Sequence, residues 1–314
     1  MFLIKRLIFT FFMAIFSSFL CFCMIYYSKG SVAFSQSSNL ISSKTIAKIE
    51  NNLNLNQPLL TQYKEWSLKA IKGDFSNSLI NGEKVSKIFT EHLGASLILA
   101  FSALFLIFVL SIVLAMFCVM YKDSIFDKFV NIISLGFLSL PTFALALLFI
   151  LIFSFYLKIL PSSGMSDIGY EDDFFNRLKH ILMPLFVLVL SNLAIFLRFV
   201  KSTFIESLNQ SFVQNALAKG LSLKRVYFHF VLKHSLNSIL SFFSSYAVGF
   251  LMSTYVVESV FSYGGIGEIF IQSIIFKDYP VVLFMVVFSV LASNFLILIS
   301  DILQFIINPR LINA

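Results

Sequence analysis

Six stretches of the chain carry no charged side chain: residues 7–27, 93–121, 129–157, 181–197, 235–257 and 280–300. A helix needs about 20 apolar residues to cross roughly 30 Å of hydrocarbon. A Lys, Arg or Asp at its centre costs about 2.5–3.5 kcal/mol on insertion scales, so charge-free runs delimit candidate spans. The pattern predicts an all-α, polytopic membrane protein with six transmembrane helices. The fourth run is the shortest and reaches only about 26 Å at ~1.5 Å per residue. Lys179 and His180 at one end of it, and Arg198 at the other, must reach out to the interfaces. Pro141 lies inside the third run, where a kink is expected. The first run follows Lys5 and Arg6 as a signal peptide does, and residues 31–33 read Ser-Val-Ala. Its length exceeds the usual h-region of about 7–15 residues, so it reads as a retained span.

Between the runs lie two substantial polar segments. Residues 28–92 are rich in Ser, Asn and Lys and hold the only Trp, Trp66. Residues 41–55 have helical apolar spacing and Pro58 marks a boundary; Leu59, Leu60, Tyr63, Trp66 and Leu68 then offer a small cap something to bury. Residues 198–234 are the more informative segment. A helix is expected from about Ser211 to Lys219, stopped by Gly220, with Ser222 as the N-cap of a second helix from Leu223. Ala216 and Gly220 are four apart, so they share one small face that another surface can approach closely. Phe212, Val213 and Leu217 supply apolar contacts, and Gln214, Asn215 and Lys219 polar ones. Physics alone leaves two readings open, a helix lying on lipid headgroups and a helix that docks a partner. The expected organisation is a transmembrane helix over 1–27, an outer insertion over 28–92, and a five-helix core over 93–314 that carries the inner loop at 198–234.

Composition supports the membrane assignment. The chain is 58% hydrophobic and 12% charged, against about 45–50% and 25% in soluble domains. Forty Phe with only twelve Gly and six Pro exclude collagen-like and disordered classes. The net charge of +7 is a topology signal. With the N-terminus inside, the inner segments hold eleven basic and four acidic residues while the outer charges cancel. Nucleic-acid binding is therefore disfavoured. Cys21, Cys23 and Cys118 all fall in apolar runs and read as packing. His92, His180, His229 and His234 have no metal-ligand spacing, so no metal site is expected. No Gly-x-Ser-x-Gly occurs and no acidic or His pair lies within a span, so no catalytic residue is expected. There is also no Gly-x-x-x-x-Gly-Lys-Ser/Thr loop to cradle ATP phosphates.

The segment Phe212-Val213-Gln214-Asn215-Ala216-Leu217-Ala218-Lys219-Gly220-Leu221-Ser222 resembles the EAA loop of ABC-importer permeases of the dipeptide, oligopeptide and nickel branch. The likeness extends to Gly73-Asp74-Phe75-Ser76-Asn77-Ser78, to Ser139-Leu140-Pro141-Thr142-Phe143 and to Leu160-Pro161-Ser162-Ser163-Gly164. It continues through His180, Pro184 and Arg198, then Val257-Glu258-Ser259-Val260-Phe261 with Gly264-Gly265-Ile266-Gly267, Asp278-Tyr279-Pro280 and Asn308-Pro309-Arg310. Gln214 and Asn215 depart from the general Glu-Ala of the motif, and Ser238 stands where Pro is usual.

The resemblance implies a type I ABC-importer permease fold in a bacterial inner membrane, with both termini cytoplasmic. It implies a translocation pathway for peptides or nickel chelates. The partners implied are a homologous second permease, two ABC ATPase subunits that bind ATP and Mg, and a periplasmic or lipid-anchored solute-binding protein; this chain needs no cofactor of its own. Phe212, Val213, Ala216, Lys219, Gly220, Leu221 and Ser222 become the expected ATPase-coupling residues. Glu258, Gly264, Gly265, Gly267 and Asp278 become candidate gate or receptor contacts. The alternative is a self-sufficient carrier or channel, which normally places coupling charges within its bundle.

Overall fold

A computed structural model describes residues 2–27 and 57–307. The expected helix over 41–55, the Ser-Val-Ala at 31–33 and Asn308-Pro309-Arg310 lie outside the described residues. Every extended element among the described residues is helical, and the one β-type pairing is an isolated antiparallel bridge between Asn77 and Lys84. The helices are α1 (Phe2–Tyr27), α2 (Leu59–Ile71), α3 (Val85–Met120), α4 (Ile125–Ser139) and α5 (Thr142–Phe149). They continue with α6 (Phe174–Leu208), α7 (Ser211–Ala218), α8 (Leu223–Arg225), α9 (Leu232–Ser245), α10 (Ala247–Phe261), α11 (Ile266–Ile275) and α12 (Tyr279–Ile307). π-Helical turns follow α5 (Ile150–Tyr156) and α8 (Val226–Val231).

Four of these helices are long and apolar enough to cross a bilayer, and the spans number six if α4–α5 and the α8–α10 rod each count as one bent span. The expected kink in the third run is a turn of 101°. Pro141 has no N–H to donate and pushes Leu140 into extended backbone (φ −91°, ψ 129°), which ends α4 and starts α5 afresh.

The fourth run, the weakest by length, belongs to a 35-residue helix. In α6, 61% of the most apolar stretch is buried against protein, versus 22% or less in α1, α3 and α12. Its neighbours are α4, α5, α7, α9 and α10. A helix so enclosed needs no lipid-length apolar sleeve, so the charge-free run understates it.

The chain divides into two compact units, Met1–Gly94 with Gly265–Asn294, and Ala95–Gly264 with Phe295–Ala314. In that first unit Tyr63 of α2 lies edge-on to Phe19 and Phe22 of α1. Its hydroxyl donates to the Ile15 carbonyl at 3.2 Å. α2, the described helix of the expected cap around Trp66, has no buried residue, and Leu60 and Leu68 are exposed. A second cluster joins Phe75 and Phe89 to Phe284, with ring centroids 4.6 and 4.9 Å apart. In the second unit the core runs the length of α6, from Ile181, Val187 and Leu188 packed with Leu99 and Phe261, to Leu197, Val200 and Phe204 packed with Val213 and Val226.

Candidate functional site

The inner loop expected at 198–234 folds as a short helix pressed onto the C-terminal end of α6. α7 ends in a Schellman cap: Gly220 takes φ +81°, its N–H donates to the Leu217 carbonyl at 2.9 Å, and the Leu221 N–H donates to the Ala216 carbonyl at 3.3 Å. Ser222 occupies the N-cap position of α8, without a side-chain cap bond. Ala216 sits differently from the expectation of a shared small face. It does not share an outward face with Gly220; with Val213 it is buried in the chain's own core. Its lack of bulk does permit close approach, but to α6 and the π-helical turn of its own chain. Phe212 and Leu221 are half-buried, with the Phe212 ring 4.9 Å from His234. The face left open consists of Gln214, Asn215, Leu217, Ala218, Lys219, Gly220 and Ser222.

Two polar clasps hold this end of α6. The Ser207 hydroxyl lies 2.8 Å from Ser235 Oγ and 3.1 Å from His234 Nδ1, which ties α6 to the start of α9. One and a half turns earlier, Lys201 Nζ meets the buried carboxylate of Asp127 at 2.5 Å. Asp127 also accepts from Asn131 Nδ2 at 2.9 Å, and its N–H donates to the Ser124 hydroxyl that caps α4. A buried carboxylate is tolerable only when paired and hydrogen-bonded in this way. Sequence reasoning counted Asp127 and Lys201 as loop charges and missed the pair, whose partners are 74 positions apart.

At the other end of α6, about 40 Å away at ~1.5 Å per residue, three resembling motifs meet. The buried ring of His180 places Nδ1 3.1 Å from the Ser163 carbonyl and 3.0 Å from that of Gly164. Two acceptors there require the proton on Nδ1. His180 Nε2 faces Asp167 Oδ1 at 3.5 Å, and Asp167 accepts from Asn176 Nδ2 at 2.7 Å. That amide, with His180 behind it, holds the Asp167 carboxyl below its ordinary value. The Gly164 N–H donates to the Phe261 carbonyl at 2.9 Å, and Gly264 (φ +74°) stands against Met165. Burial pushes the adjacent Tyr263 hydroxyl up to about 12.

The candidate gate residues are divided between the units. Glu258, fully buried, and Gly264 belong to the second unit; Gly265, Gly267 and Asp278 belong to the first. Gly265 is extended (φ −90°, ψ 175°) and starts α11, where Gly267 is buried. Asp278 is only 1% exposed. It accepts from the Ser78 hydroxyl and from the Leu79 N–H, the latter at 3.0 Å. Its carboxylate is thus used inside the unit, joining two motifs of the resemblance. Among the described residues no three His, Cys, Asp or Glu side chains gather to hold a metal ion.

Compared with known proteins, residues 107–313 match the family of binding-protein-dependent transport system inner membrane components, and residues 1–100 match the N-terminal region of such membrane components. The oligopeptide transport system permease protein AppB of Bacillus subtilis is 31% identical over 258 residues, 82% of each chain. The metal-staphylopine import system permease protein CntB of Staphylococcus aureus is 26% identical over 315 residues, covering 99% of this chain and 97% of that one. Among solved structures, an inward-facing form of the MetNI methionine ABC transporter aligns with 71% of this chain and 97% of its own, at a TM-score of 0.52 and 14% identity. That likeness is one of fold.

Proposed function

The chain belongs to the family of binding-protein-dependent transport system inner membrane components, as a multi-pass permease subunit of an ABC importer, and from that premise we propose that α7 receives the motion of the partner ATPases. The carrying observation is the way α7 is mounted. Val213 and Ala216 fix one side of it into the core of the second unit. The opposite side and the Gly220 cap stay open. A push on that open face reaches α6 through packed side chains and reaches α9 through the Ser207–His234–Ser235 clasp. Coupling here consists of moving a rigid lever whose bearing is the chain's own core.

The rest of the assembly follows from the same premise. ATP and Mg belong to two ATPase subunits, since this chain has no phosphate-cradling loop. A homologous second permease completes the pathway and a solute-binding protein delivers the cargo. The basic excess of the segment 198–234, with Lys5 and Arg6 ahead of the first apolar run, supports a cytoplasmic side for that segment and for both termini. Phe212, Lys219, Gly220, Leu221 and Ser222 then form or border the ATPase-facing surface, with Val213 and Ala216 as its anchor. Glu258 and Gly264 lie toward the outer side with the His180 loop. The cargo is a peptide or a nickel chelate, a reading supported by AppB and CntB, which are named for oligopeptide and metal-staphylopine transport.

Two measurements test this. Gly220→Val forces a side chain into the left-handed region at a cost of ~1–3 kcal/mol. It should reduce both uptake and copurification of the ATPase at matched membrane levels; unchanged copurification refutes the docking role. Uptake of labelled dipeptides and of nickel by a strain lacking the gene identifies the cargo, and loss of neither refutes the proposed class.

A further inference from the structure

In the second unit α3, α4 and α6 leave a gap along part of their length. It is an open crevice whose walls include Leu114 of α3, Val130, Ser134 and Phe137 of α4, and Ala194 and Leu197 of α6. Its one polar wall residue, Ser134, already donates to the Asn131 carbonyl at 3.1 Å, so the lining asks for nothing polar. Phe129 and Ile133 also border the space and are 60% and 41% exposed, so the crevice is open along α4. These residues lie in candidate membrane spans, where the medium that can fill such a slot is hydrocarbon.

One end of the slot is cationic. Arg198 follows Ala194 by four residues on α6 and so continues the same helix face one turn further. Lys128 directly precedes Phe129 on α4, and Lys122 lies in the short turn that joins α3 to α4. Lys201, on the same stripe of α6, is neutralised by Asp127. The other three are exposed, and among the described residues no carboxylate stands within ion-pair distance of them. An apolar slot ending in unneutralised cations is complementary to a lipid with a negative headgroup.

We propose that this crevice is a binding site for an anionic phospholipid, with an acyl chain between α4 and α6 and the phosphate at Arg198, Lys128 and Lys122. The slot and its cations stand on the geometry alone. Their assignment to the cytoplasmic leaflet rests on the orientation proposed above. The site also gives bilayer composition a route to α7, because the same end of α6 carries that helix.

The test uses the assembled importer, purified in mild detergent from membranes containing phosphatidylglycerol, with retained lipid counted by native mass spectrometry. The parent should keep bound phosphatidylglycerol. Arg198→Ser and Lys128→Ser should each weaken retention about fivefold, the effect of one cation near an anionic surface. Ala194→Phe should fill the slot and abolish retention, while Lys224→Ser, an exposed cation outside the crevice, should change nothing. If Ala194→Phe does not accumulate, Ala194→Leu fills part of the same space and the exposed cation variants stand as independent evidence. Equal lipid retention in Ala194→Phe, Arg198→Ser and the parent overturns the proposal. So does release of a second permease subunit by Ala194→Phe with the lipid count unchanged, since the crevice is then a subunit interface. Loss of the ATPase with lipid retained counts against the coupling role of α7 and leaves this site standing.

Discussion

The two ends of α6 are held by different kinds of bond. At the C-terminal end the partners are side chains on both sides, Lys201 with Asp127 and Ser207 with His234 and Ser235. At the N-terminal end the Asn176 amide bonds Asp167, but the inward-facing His180 reads backbone carbonyls of Ser163 and Gly164, and backbone meets backbone from Gly164 to Phe261. A side-chain clasp depends on the identity of every partner and breaks when one is changed. A backbone clasp depends on the shape of a loop and tolerates substitution wherever the φ angle is ordinary. The first suits a joint that must transmit a specific movement, and the second suits a fixed mount.

Breaking the Lys201–Asp127 pair should have the largest effect. Lys201→Met leaves a buried carboxylate without its cation and should cost about 3 kcal/mol. The readout is thermal stability of the purified protein in detergent. The double variant Lys201→Met with Asp127→Asn removes both charges and should recover most of the loss. If the single variant is as stable as the double, the pair is not a clasp.

At the opposite end, His180→Ala should cost about 1 kcal/mol, the net worth of a hydrogen bond, because the carbonyls of Ser163 and Gly164 lose their shared donor. Ser163→Ala should cost almost nothing, since only its carbonyl is used. Equal losses in the two would mean that the loop is held by side chains after all, and the contrast between the ends of α6 would collapse.

What the sequence revealed divides along the same line. Charge-free runs located the spans, and Gly220 announced the end of α7, because both signals are local: insertion cost acts residue by residue, and a left-handed cap is written in one glycine. The inward turn of Ala216 was not legible, since alanine suits an inner or an outer face equally and the choice belongs to α6. Asp127 with Lys201, and Ser78 with Asp278, join positions 74 and 200 apart, a separation that no spacing rule spans. The central place of α6 was hidden for a related reason. Its flanking charges shorten the apolar run, while in the fold they lie beyond a stretch that protein, not lipid, encloses.

Two of the left-handed glycines, Gly220 and Gly264, sharpen the comparison at smaller amplitude. Gly220 has no atom within 4 Å of where a Cβ would stand, whereas at Gly264 that Cβ would meet Met165 Sδ at 3.0 Å. Gly220→Ala should therefore cost only the backbone strain, about 1 kcal/mol. Gly264→Ala adds displacement of a flexible methionine, and pairing it with Met165→Ala should return it to the Gly220 value. Melting temperatures of the three variants decide this; identical values for both single variants would remove Met165 from the account.

The smallest effect should come from acid, and only at the N-terminal end of α6. Asp167 is exposed, and the Asn176 amide, then His180, keep its carboxyl below the ordinary value. A group whose pKa is lowered by folding binds fewer protons folded than unfolded near that value. Its contribution is therefore complete above the unfolded pKa of about 3.9 and is lost as pH falls through the lower folded value. The loop from Asp167 to Asn176 should stay closed at pH 4.5 and loosen toward pH 2.5. Pepsin, active across that range, can report this through cleavage beside the exposed Tyr170. Asn176→Leu removes the amide that selects the ionised carboxylate. The parent should be cut more slowly than Asn176→Leu at pH 4.5, and the difference should narrow as acid protonates Asp167 in both. A rate difference that persists unchanged into acid would mean that Asn176 holds the loop by packing and not through the charge of Asp167.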